Sequence, residues 1–216
     1  MNGTLTFAGH TWPLRSDSLE FMRRAVQAPW QGAIVDFLER WWGETEAMEV
    51  RTSGSTGDPR PFSHTKAAMV ESARRTIAHF GLVPGTQAAL AMPVQFIGGM
   101  MMVVRADVGA WDLIAVQPKA TPHLGCDHDF AALTPSQAQA WQQVHPDEWM
   151  SCKQLLVGGG QTPTDWLKGV QGGPVVYEGF GMTETISHFA VRQLYPMRED
   201  TFQCLPGFAV SIDDQN

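Results

Sequence analysis

The sequence predicts an α/β fold in which parallel sheets are covered by helices. Short apolar runs ended by proline, such as 88–93 and 111–118, are typical of buried strands. Longer stretches carry apolar residues on one helical stripe or on all sides, which is typical of helices packed against a sheet. In the second half of the chain the two patterns alternate, and a strand–helix–strand–helix order implies parallel strands joined by crossover helices.

The first half is predicted to contain four helices around these two strands. Asp17 stands three residues before Glu20, a capping-box pattern that predicts the first helix. The second and third helices each show one apolar stripe, and Gly81 provides a stop for the third. Residues 98–106 are apolar on all sides and predict a buried helix. The stripe residues are Ile34, Phe37, Leu38 and Trp41 in the second helix, and Met69, Val70, Ala73, Ile77 and Phe80 in the third.

The second half is predicted to contain three strands and two helices. The strands are expected in 130–135, 154–160 and 173–181. One helix is expected to be capped by Ser136, and the other by Thr162, with Pro163 at its first position. Ligands of such folds bind beyond the carboxyl ends of the strands, and the loops "GGGQT" and "GFGMTET" are predicted to lie there.

Composition and charge exclude several classes of protein. The chain has 216 residues, of which 44% are apolar, which suits one large domain or two joined lobes. A net charge of −7 argues against a broad nucleic-acid surface. No apolar run approaches the ~18 residues of a membrane span, and no secretory signal is recognisable. Three cysteines without CxxC spacing indicate a reducing compartment, so we expect a cytoplasmic protein.

The loop "TSGSTGDPR" has the residue types of a phosphate-binding loop. Its glycines allow a tight turn that brings N–H groups close to an anion, its hydroxyls add donors, and Arg60 adds positive charge. It is not a Walker loop, because no Gly-Lys-Ser/Thr closes it, and it is not a hydrolase elbow, because no G-x-S-x-G is present. A plain surface loop is the alternative. The candidate ligands are Thr52, Ser53, Gly54, Ser55, Thr56 and Gly57.

A second motif 120 residues further on gives this loop a context. Thr52 to Arg60 resembles the T-S-G-S/T-T-G-x-P-K loop of the adenylate-forming superfamily, with arginine in place of lysine. "FGMTE" at 180–184 resembles its aromatic-G-x-T-E motif, and "LLVGGGQTP" is a weaker third match. That superfamily contains acyl-CoA synthetases, luciferases and adenylation domains. The resemblance implies the N-terminal, large-domain part of the adenylate-forming fold from about Arg51 onward.

The resemblance also implies roles for the matched residues. The loop from Thr52 to Arg60 holds the β- and γ-phosphates of ATP, and Phe180 and Gly181 lie at the adenine, with the Phe180 ring stacked on it. Thr183 donates to the α-phosphate, and Glu184 binds Mg²⁺ directly or through water. The backbone of Gly158, Gly159 and Gly160 flanks the adenine. The alternatives are an exposed strand-end carboxylate for Glu184 and core packing for Phe180.

Such enzymes convert a carboxylic acid with ATP into an acyl-adenylate, and a thiol, usually that of coenzyme A, then displaces AMP. In the expected acyl-pocket segment, Phe96 occupies a position where many members have histidine. "MMMVVRA" and "YEGFGMTETISHFAVR" resemble short-form o-succinylbenzoate–CoA ligases of menaquinone biosynthesis. The resemblance implies that Arg105 recognises the second carboxylate of that acid, and that Ser187 and His188 border the pocket. The alternatives are an Arg105 that reaches water or pairs with an acid, and a structural His188. For the whole chain they are another acyl- or aryl-CoA synthetase and a non-catalytic nucleotide-binding domain.

The resemblance also suggests a division of the chain. A first lobe at 1–125 would carry the phosphate loop, a second lobe at 126–195 the motif at 177–185, and 196–216 the start of a β-barrel. We expect that the family's mobile C-terminal domain, with its catalytic lysine, is not included in these residues. We therefore expect a fragment that is nearly inactive alone, and the oligomeric state is left open, a homo-oligomer included.

One further cluster suggests a metal. His123, Cys126 and His128 fall within six residues. A closed zinc site needs four ligands in known spacings, and no partner pair is recognisable in the sequence. A loop without metal is therefore the prediction.

Overall fold

The computed structural model describes residues 3–51, 61–163 and 165–211, and most of its strands belong to one sheet. The strands are β1 Thr4–Phe7, β2 His10–Pro13, β3 Ala47–Arg51, β4 Pro61–Thr65, β5 Gln87–Leu90, β6 Asp112–Ala115, β7 Phe130–Leu133, β8 Gln154–Val157, β9 Val175–Met182, β10 Ser187–Tyr195 and β11 Gln203–Cys204. The large sheet has the order β11-β10-β9-β8-β7-β5-β6-β1-β2. From β9 to β1 neighbouring strands are parallel, and antiparallel strands complete both ends.

Helices connect and cover these strands. They are α1 Leu19–Arg24, α2 Pro29–Trp42, α3 Lys66–His79, α4 Ile97–Gly109, α5 Pro135–Val144 and α6 Pro146–Ser151, with 3₁₀ turns at Ser16–Ser18 and Thr183–Thr185. The predicted buried helix is α4, and α3 ends as predicted, with Gly81 at a φ of 63° just beyond it. A mixed, mostly parallel sheet flanked by helices confirms the predicted α/β fold.

Two separate apolar cores lie on the two faces of the sheet, because successive strand residues point to opposite sides. Leu90 and Phe130 pack into the core formed with α2, α3 and α4, whereas Ala89 and Ala131 pack into the core that holds Trp141 of α5. Burial on both faces explains why β5, β7 and β8 are continuous apolar runs rather than alternating ones.

Three local predictions are wrong. Residues 162–170 do not form a helix in the part that is described; Trp166, Lys168 and Val170 close isolated turns instead, and Gly169 has a φ of 81°. Thr162 caps nothing, since its buried hydroxyl has no partner among the described residues. The cap of α5 is Thr134, not Ser136, because Thr134 Oγ1 accepts the Gln137 N–H at 3.2 Å.

The first predicted cap is also wrong. Asp17 and Glu20 do not form a capping box, because Asp17 lies within a 3₁₀ turn, and no side chain caps this turn or α1. The Asp17 carboxylate instead lies 2.7 Å from Arg15 Nε. A local polar partner has replaced the helix cap in this exposed segment.

Two hairpins in the first half of the chain were not predicted, and neither was strand β10, which pairs antiparallel with β9. β1 and β2 pair at one end of the large sheet, and β3 and β4 form a separate two-stranded sheet in which Arg51 pairs with Pro61. The predicted phosphate ligands, Thr52, Ser53, Gly54, Ser55, Thr56, Gly57 and Arg60, lie outside the described residues. The paired strands β3 and β4 are therefore the described flanks of that motif.

The predicted division into two lobes remains a prediction. The large sheet takes strands from both 1–125 and 126–195, and β11, within the expected barrel segment, pairs with β10. Among the described helices, none combines the length and the apolar character needed to cross a membrane.

Candidate active site

The two glycine-rich loops lie side by side at the carboxyl ends of β8 and β9. These strands are parallel, and Val157 pairs with Glu178, so the residues that follow Val157 lie next to those that follow Glu178. The Gly158 N–H donates to the Leu133 carbonyl at 3.1 Å, and Gly159 has a φ of 77°. The predicted adenine-flanking backbone, Gly158 to Gly160, thus reaches the same edge as the 180–184 motif.

Gly181 is required by the tight approach of β9 to β10. A Cβ added to Gly181 would lie 2.0 Å from the Ser187 carbonyl oxygen, so a larger residue would force the two strands apart. After the Thr183–Thr185 turn, Ile186 and Ser187 have φ values of 62° and 101°. Left-handed backbone at two non-glycine residues is strained, and such strain is concentrated at binding and active sites.

The predicted nucleotide ligands are accessible. Glu184 is exposed, Thr183 is half-buried, and the Glu184 carboxylate has no ionic partner among the described residues. Phe180 is 51% exposed and contacts Phe189 at a centroid distance of 5.5 Å with an interplanar angle of 73°. Because half of Phe180 lies outside the core, its ring is available for stacking on a ligand.

His64 connects the β3–β4 hairpin with this motif. Its Nε2 lies 2.6 Å from the carbonyl oxygen of Thr183, and Ser72 Oγ on α3 donates to the Ile186 carbonyl at 3.4 Å. The cap of α3 is Thr65, and His64 supports the backbone of the 183–185 turn.

A buried polar cluster lies behind the turn. Arg105 on α4 is 1% exposed, and its Nη2 donates to Ser187 Oγ at 3.2 Å. His188 is also buried, with Nδ1 3.3 Å from Ser187 Oγ and Nε2 3.4 Å from Thr76 Oγ1. The structure therefore brings together three of the four predicted acid-binding residues.

Arg105 has an incomplete set of partners. Its Nε is buried without a hydrogen bond, and no carboxylate pairs with it among the described residues. Burial lowers the pKa of Arg105 to about 10. Burial also lowers the pKa of His188 well below its usual value, and the charges of Arg105 and His79 act in the same direction. The cluster thus holds a desolvated cation beside a neutral imidazole.

Phe96, the fourth predicted acid-binding residue, is not part of this cluster. It precedes α4 in extended conformation and is 43% exposed. A cavity of about 190 Å³ lies beside its segment, beyond the ends of β5 and β6. Neither Phe96 nor Arg105 lines it; the lining includes Trp30, Ile34, Met92, Pro93, Gln95 and Val116.

Sequence reasoning missed the ion pair that supports the motif strand. Glu178 on β9 is buried, and its Oε2 accepts from Arg192 Nε at 2.8 Å. The Arg192 guanidinium lies 4.4 Å from the Phe202 ring centroid, and Phe202 contacts Phe180 at 5.4 Å. Glu178 stands two residues before Phe180, within the predicted strand, but nothing in the sequence identified Arg192 as its partner.

Comparison with known proteins identifies relatives. A family model described as AMP-binding enzyme matches residues 46–214. A 2-succinylbenzoate–CoA ligase of Salmonella typhimurium is 28% identical over 187 residues, covering 85% of this chain and 40% of that protein. The chain therefore spans less than half the length of that curated relative.

Solved structures give the same fold. An AMP-forming acyl-CoA synthetase/AMP-acid ligase II-like protein from Dyadobacter fermentans has a TM-score of 0.79 and 31% identity, covering 91% of this chain and 58% of that one. The o-succinylbenzoate coenzyme A synthetase MenE from Bacillus subtilis, in complex with ATP and magnesium ion, has a TM-score of 0.57 and 18% identity, covering 68% and 32%. At 18% identity the second likeness concerns the fold alone.

Proposed function

This chain belongs to the AMP-binding enzyme family, and we propose that it carries the nucleotide- and acid-binding part of an ATP-dependent acid–CoA ligase. A carboxylate oxygen of the acid attacks the α-phosphorus of ATP, the bond to pyrophosphate breaks, and an acyl-adenylate forms. The sulfur of coenzyme A then attacks the acyl carbon, its thiol proton is lost, and AMP leaves.

The nucleotide is proposed to bind along the carboxyl ends of β8 and β9. Phe180 stacks on the adenine, the backbone of Gly158 to Gly160 borders it, and Thr183 donates to the α-phosphate. The residues proposed for the β- and γ-phosphates are those of the loop at 52–60, with Arg60 offsetting charge. Donors preorganised at developing charge are commonly the largest catalytic contribution of such sites.

Glu184 is proposed to hold Mg²⁺. An exposed carboxylate without an ionic partner among the described residues fits this cation, which prefers hard oxygen ligands and retains several waters. Bound there, the ion would offset charge on the phosphate oxygens, and Glu184 would hold it directly or through one of its waters.

The acid is proposed to be o-succinylbenzoate, and one observation carries this choice: a buried guanidinium with no carboxylate partner among the described residues. An unpaired charge removed from water is costly. An acid with two carboxylates has one to be activated and one free to pair with Arg105, with Ser187 as a second donor. The Salmonella relative is named for the same acid.

The choice of acid is tested by deleting one carboxylate at a time. Acid-dependent AMP release is compared for o-succinylbenzoate, 4-oxo-4-phenylbutanoate and 2-propanoylbenzoate. The diacid should be the best substrate, because each monoacid lacks either the reacting or the recognised group. Equal turnover of a monoacid would reject o-succinylbenzoate. In a form of the protein that includes the family's C-terminal domain, ATP binding without any acid-dependent AMP release would favour a non-catalytic nucleotide-binding domain.

The role of Arg105 is tested by Arg105→Met, which keeps most of the side-chain volume. A charged hydrogen bond lost on one side costs about 2–5 kcal/mol, so affinity for the diacid should fall at least about 30-fold. Calorimetry should show unchanged ATP binding. The control is Arg40→Met, since Arg40 is exposed on α2. Equal losses for ATP and acid would indicate a structural arginine.

A further inference from the structure

Three side chains that the proposed ligase reaction does not use meet near the amino ends of the parallel strands, opposite the proposed nucleotide site. His123 precedes β7, His145 lies between α5 and α6, and Glu148 belongs to α6. One ligand atom from each lies within 4.8 Å of the others. Since β7 and β8 begin at this edge, the cluster is separated from Phe180 and Glu184 by the length of the strands.

Glu148 is held in a fixed orientation. It is 5% exposed, and its Oε2 accepts from the Leu124 N–H at 2.8 Å, the Gly125 N–H at 3.1 Å and Trp141 Nε1 at 2.9 Å. These donors occupy one carboxylate oxygen completely. The other oxygen, Oε1, is directed at the two histidines.

Both imidazoles present the same nitrogen to that oxygen. His123 Nδ1 is hydrogen-bonded to Glu148 Oε1, and His145 Nδ1 lies 3.6 Å from it. The two rings stack with centroids 5.1 Å apart and an interplanar angle of 27°. The His123 side chain is 77% exposed, so one side of the cluster is open to solvent.

We propose that His123, His145 and Glu148 bind a divalent transition-metal ion of the zinc type, remote from the nucleotide. Two imidazole nitrogens and one carboxylate oxygen are a known zinc donor set, in which water occupies the fourth position. Zinc places its ligand atoms roughly 3.4 Å apart, so the exposed His123 ring rotates away from Glu148 to admit the ion. Trp141 and the two backbone N–H groups orient the carboxylate, as outer partners of metal ligands do.

The sequence trio that suggested a metal is only partly involved. Cys126 is exposed and does not belong to the cluster of His123, His145 and Glu148. His128 donates its Nε2 N–H to the Leu124 carbonyl at 2.8 Å. The two additional ligands lie 22 and 25 residues beyond His123. The ion would therefore link the segment before β7 to the α5–α6 junction and stabilise their contact.

The proposal is tested on protein freed of metal with EDTA and transferred to EDTA-free buffer. Titration with Co²⁺, followed by its visible absorption, and with Zn²⁺, followed by calorimetry, should give saturable binding of one equivalent. Zn²⁺ should also raise the Tm. His123→Ala should weaken binding roughly tenfold or more and remove most of that rise, since a ligand is lost. The control is His10→Ala, an exposed histidine on β2 that should leave both unchanged.

Glu148→Gln provides a second test that preserves side-chain volume and one acceptor oxygen. A folded Glu148→Gln protein should bind Zn²⁺ much more weakly than the original. Absence of saturable binding at millimolar Zn²⁺, or equal binding by the original, His123→Ala and Glu148→Gln proteins, would overturn the proposal. The cluster would then be an imidazole–carboxylate hydrogen-bond network only.

Discussion

Polar groups at the amino ends of the parallel strands pair with one another, whereas two charged groups near the carboxyl ends, Arg105 and Glu184, lack a charged partner among the described residues. At the amino ends, Asp112 accepts from Thr4 Oγ1 and from Gln87 Nε2, each at 2.8 Å. Asp129 continues this chain, accepting from the Gln87 N–H at 2.8 Å and from Lys153 Nζ at 2.7 Å. These polar groups at the amino ends therefore satisfy one another with hydrogen bonds.

The carboxyl ends are built differently. Glu184 is exposed without an ionic partner among the described residues, the Arg105 Nε is buried without an acceptor there, and Ile186 and Ser187 are strained. Buried polar groups normally have partners, and an exception needs an explanation. Apart from the proposed metal site, the difference suggests that the amino ends hold the fold together and the carboxyl ends are completed by ligands.

The largest expected effect is a loss of stability without a loss of ATP binding, caused by a substitution at the amino ends of the strands. Glu148→Ala removes the acceptor of several N–H groups, and breaking a buried charged cluster costs about 3–5 kcal/mol of unfolding free energy. Urea unfolding in EDTA measures the loss, and ATP affinity should be unchanged. Glu148→Gln, which retains an acceptor, is the control; a loss below about 1 kcal/mol for Glu148→Ala would contradict the structural role of this edge.

The complementary change at the carboxyl edge should affect chemistry alone. Glu184→Gln should reduce acid-dependent pyrophosphate exchange about 100- to 1000-fold, as loss of a transition-state charge partner does. Because Glu184 is exposed, urea unfolding should be unchanged within about 0.5 kcal/mol. Near-normal exchange would remove Glu184 from the mechanism. The assay is run on a form of the protein that shows exchange.

A substitution at Gly181 tests whether the close approach of β9 to β10 supports both stability and the proposed nucleotide site. Gly181→Ala places a methyl group against the Ser187 carbonyl, and overpacking of this kind costs about 1–3 kcal/mol. Both unfolding free energy and ATP affinity should fall. Gly158→Ala is the matched control for stability, since its Cβ would meet Gly179 at 3.8 Å, an ordinary contact. Equal stability of the two variants would show that the β9–β10 approach is not constrained.

The smallest expected effect is a pH dependence. The pKa of buried His188 is lowered, so below pH 6.5 the unfolded chain binds a proton that the folded protein does not bind. Stability should therefore fall as pH decreases from 6.5 toward that lowered pKa, by at most about 1.4 kcal/mol per pH unit from this residue. The lowered pKa of His79 acts in the same direction.

His188→Gln should flatten this slope without abolishing it, whereas His10→Gln should leave the slope unchanged. Urea unfolding at pH 5.0, 5.75 and 6.5 measures both. An unchanged slope in His188→Gln would mean that the imidazole gains a compensating partner when it is protonated.

The sequence predicted the elements whose signals are local. The apolar runs of β5, β7 and β8, and the all-apolar α4, are recognisable because both faces of the sheet are buried. The helix predicted at 162–170 failed because Pro163 resembles a helix start, while Gly169 breaks the segment after one turn. Phe180, Gly181, Thr183 and Glu184 belong to one continuous motif in the sequence. They were therefore also predicted to lie together at the carboxyl ends of the strands.

The remaining parts of the candidate site depend on contacts between distant residues. The Arg105–Ser187 hydrogen bond spans 82 residues and that of His64 with Thr183 spans 119. No local pattern reports such pairs, and only the resemblance to o-succinylbenzoate–CoA ligases placed Arg105, Ser187 and His188 at one pocket. Two further features also become apparent only from the order of the strands in the sheet. Arg105 lacks a carboxylate among the described residues, and His145 and Glu148 reach His123.

The hydrogen bond from His64 to the Thr183 carbonyl has a practical consequence. His64 belongs to the strand β4 that follows the 52–60 motif, yet it contacts the backbone of the other segment proposed to bind the nucleotide. Its imidazole ¹⁵N resonances should therefore serve as a spectroscopic reporter, shifting when a nucleotide moves either motif. Site occupancy then becomes observable in solution without a label on the ligand.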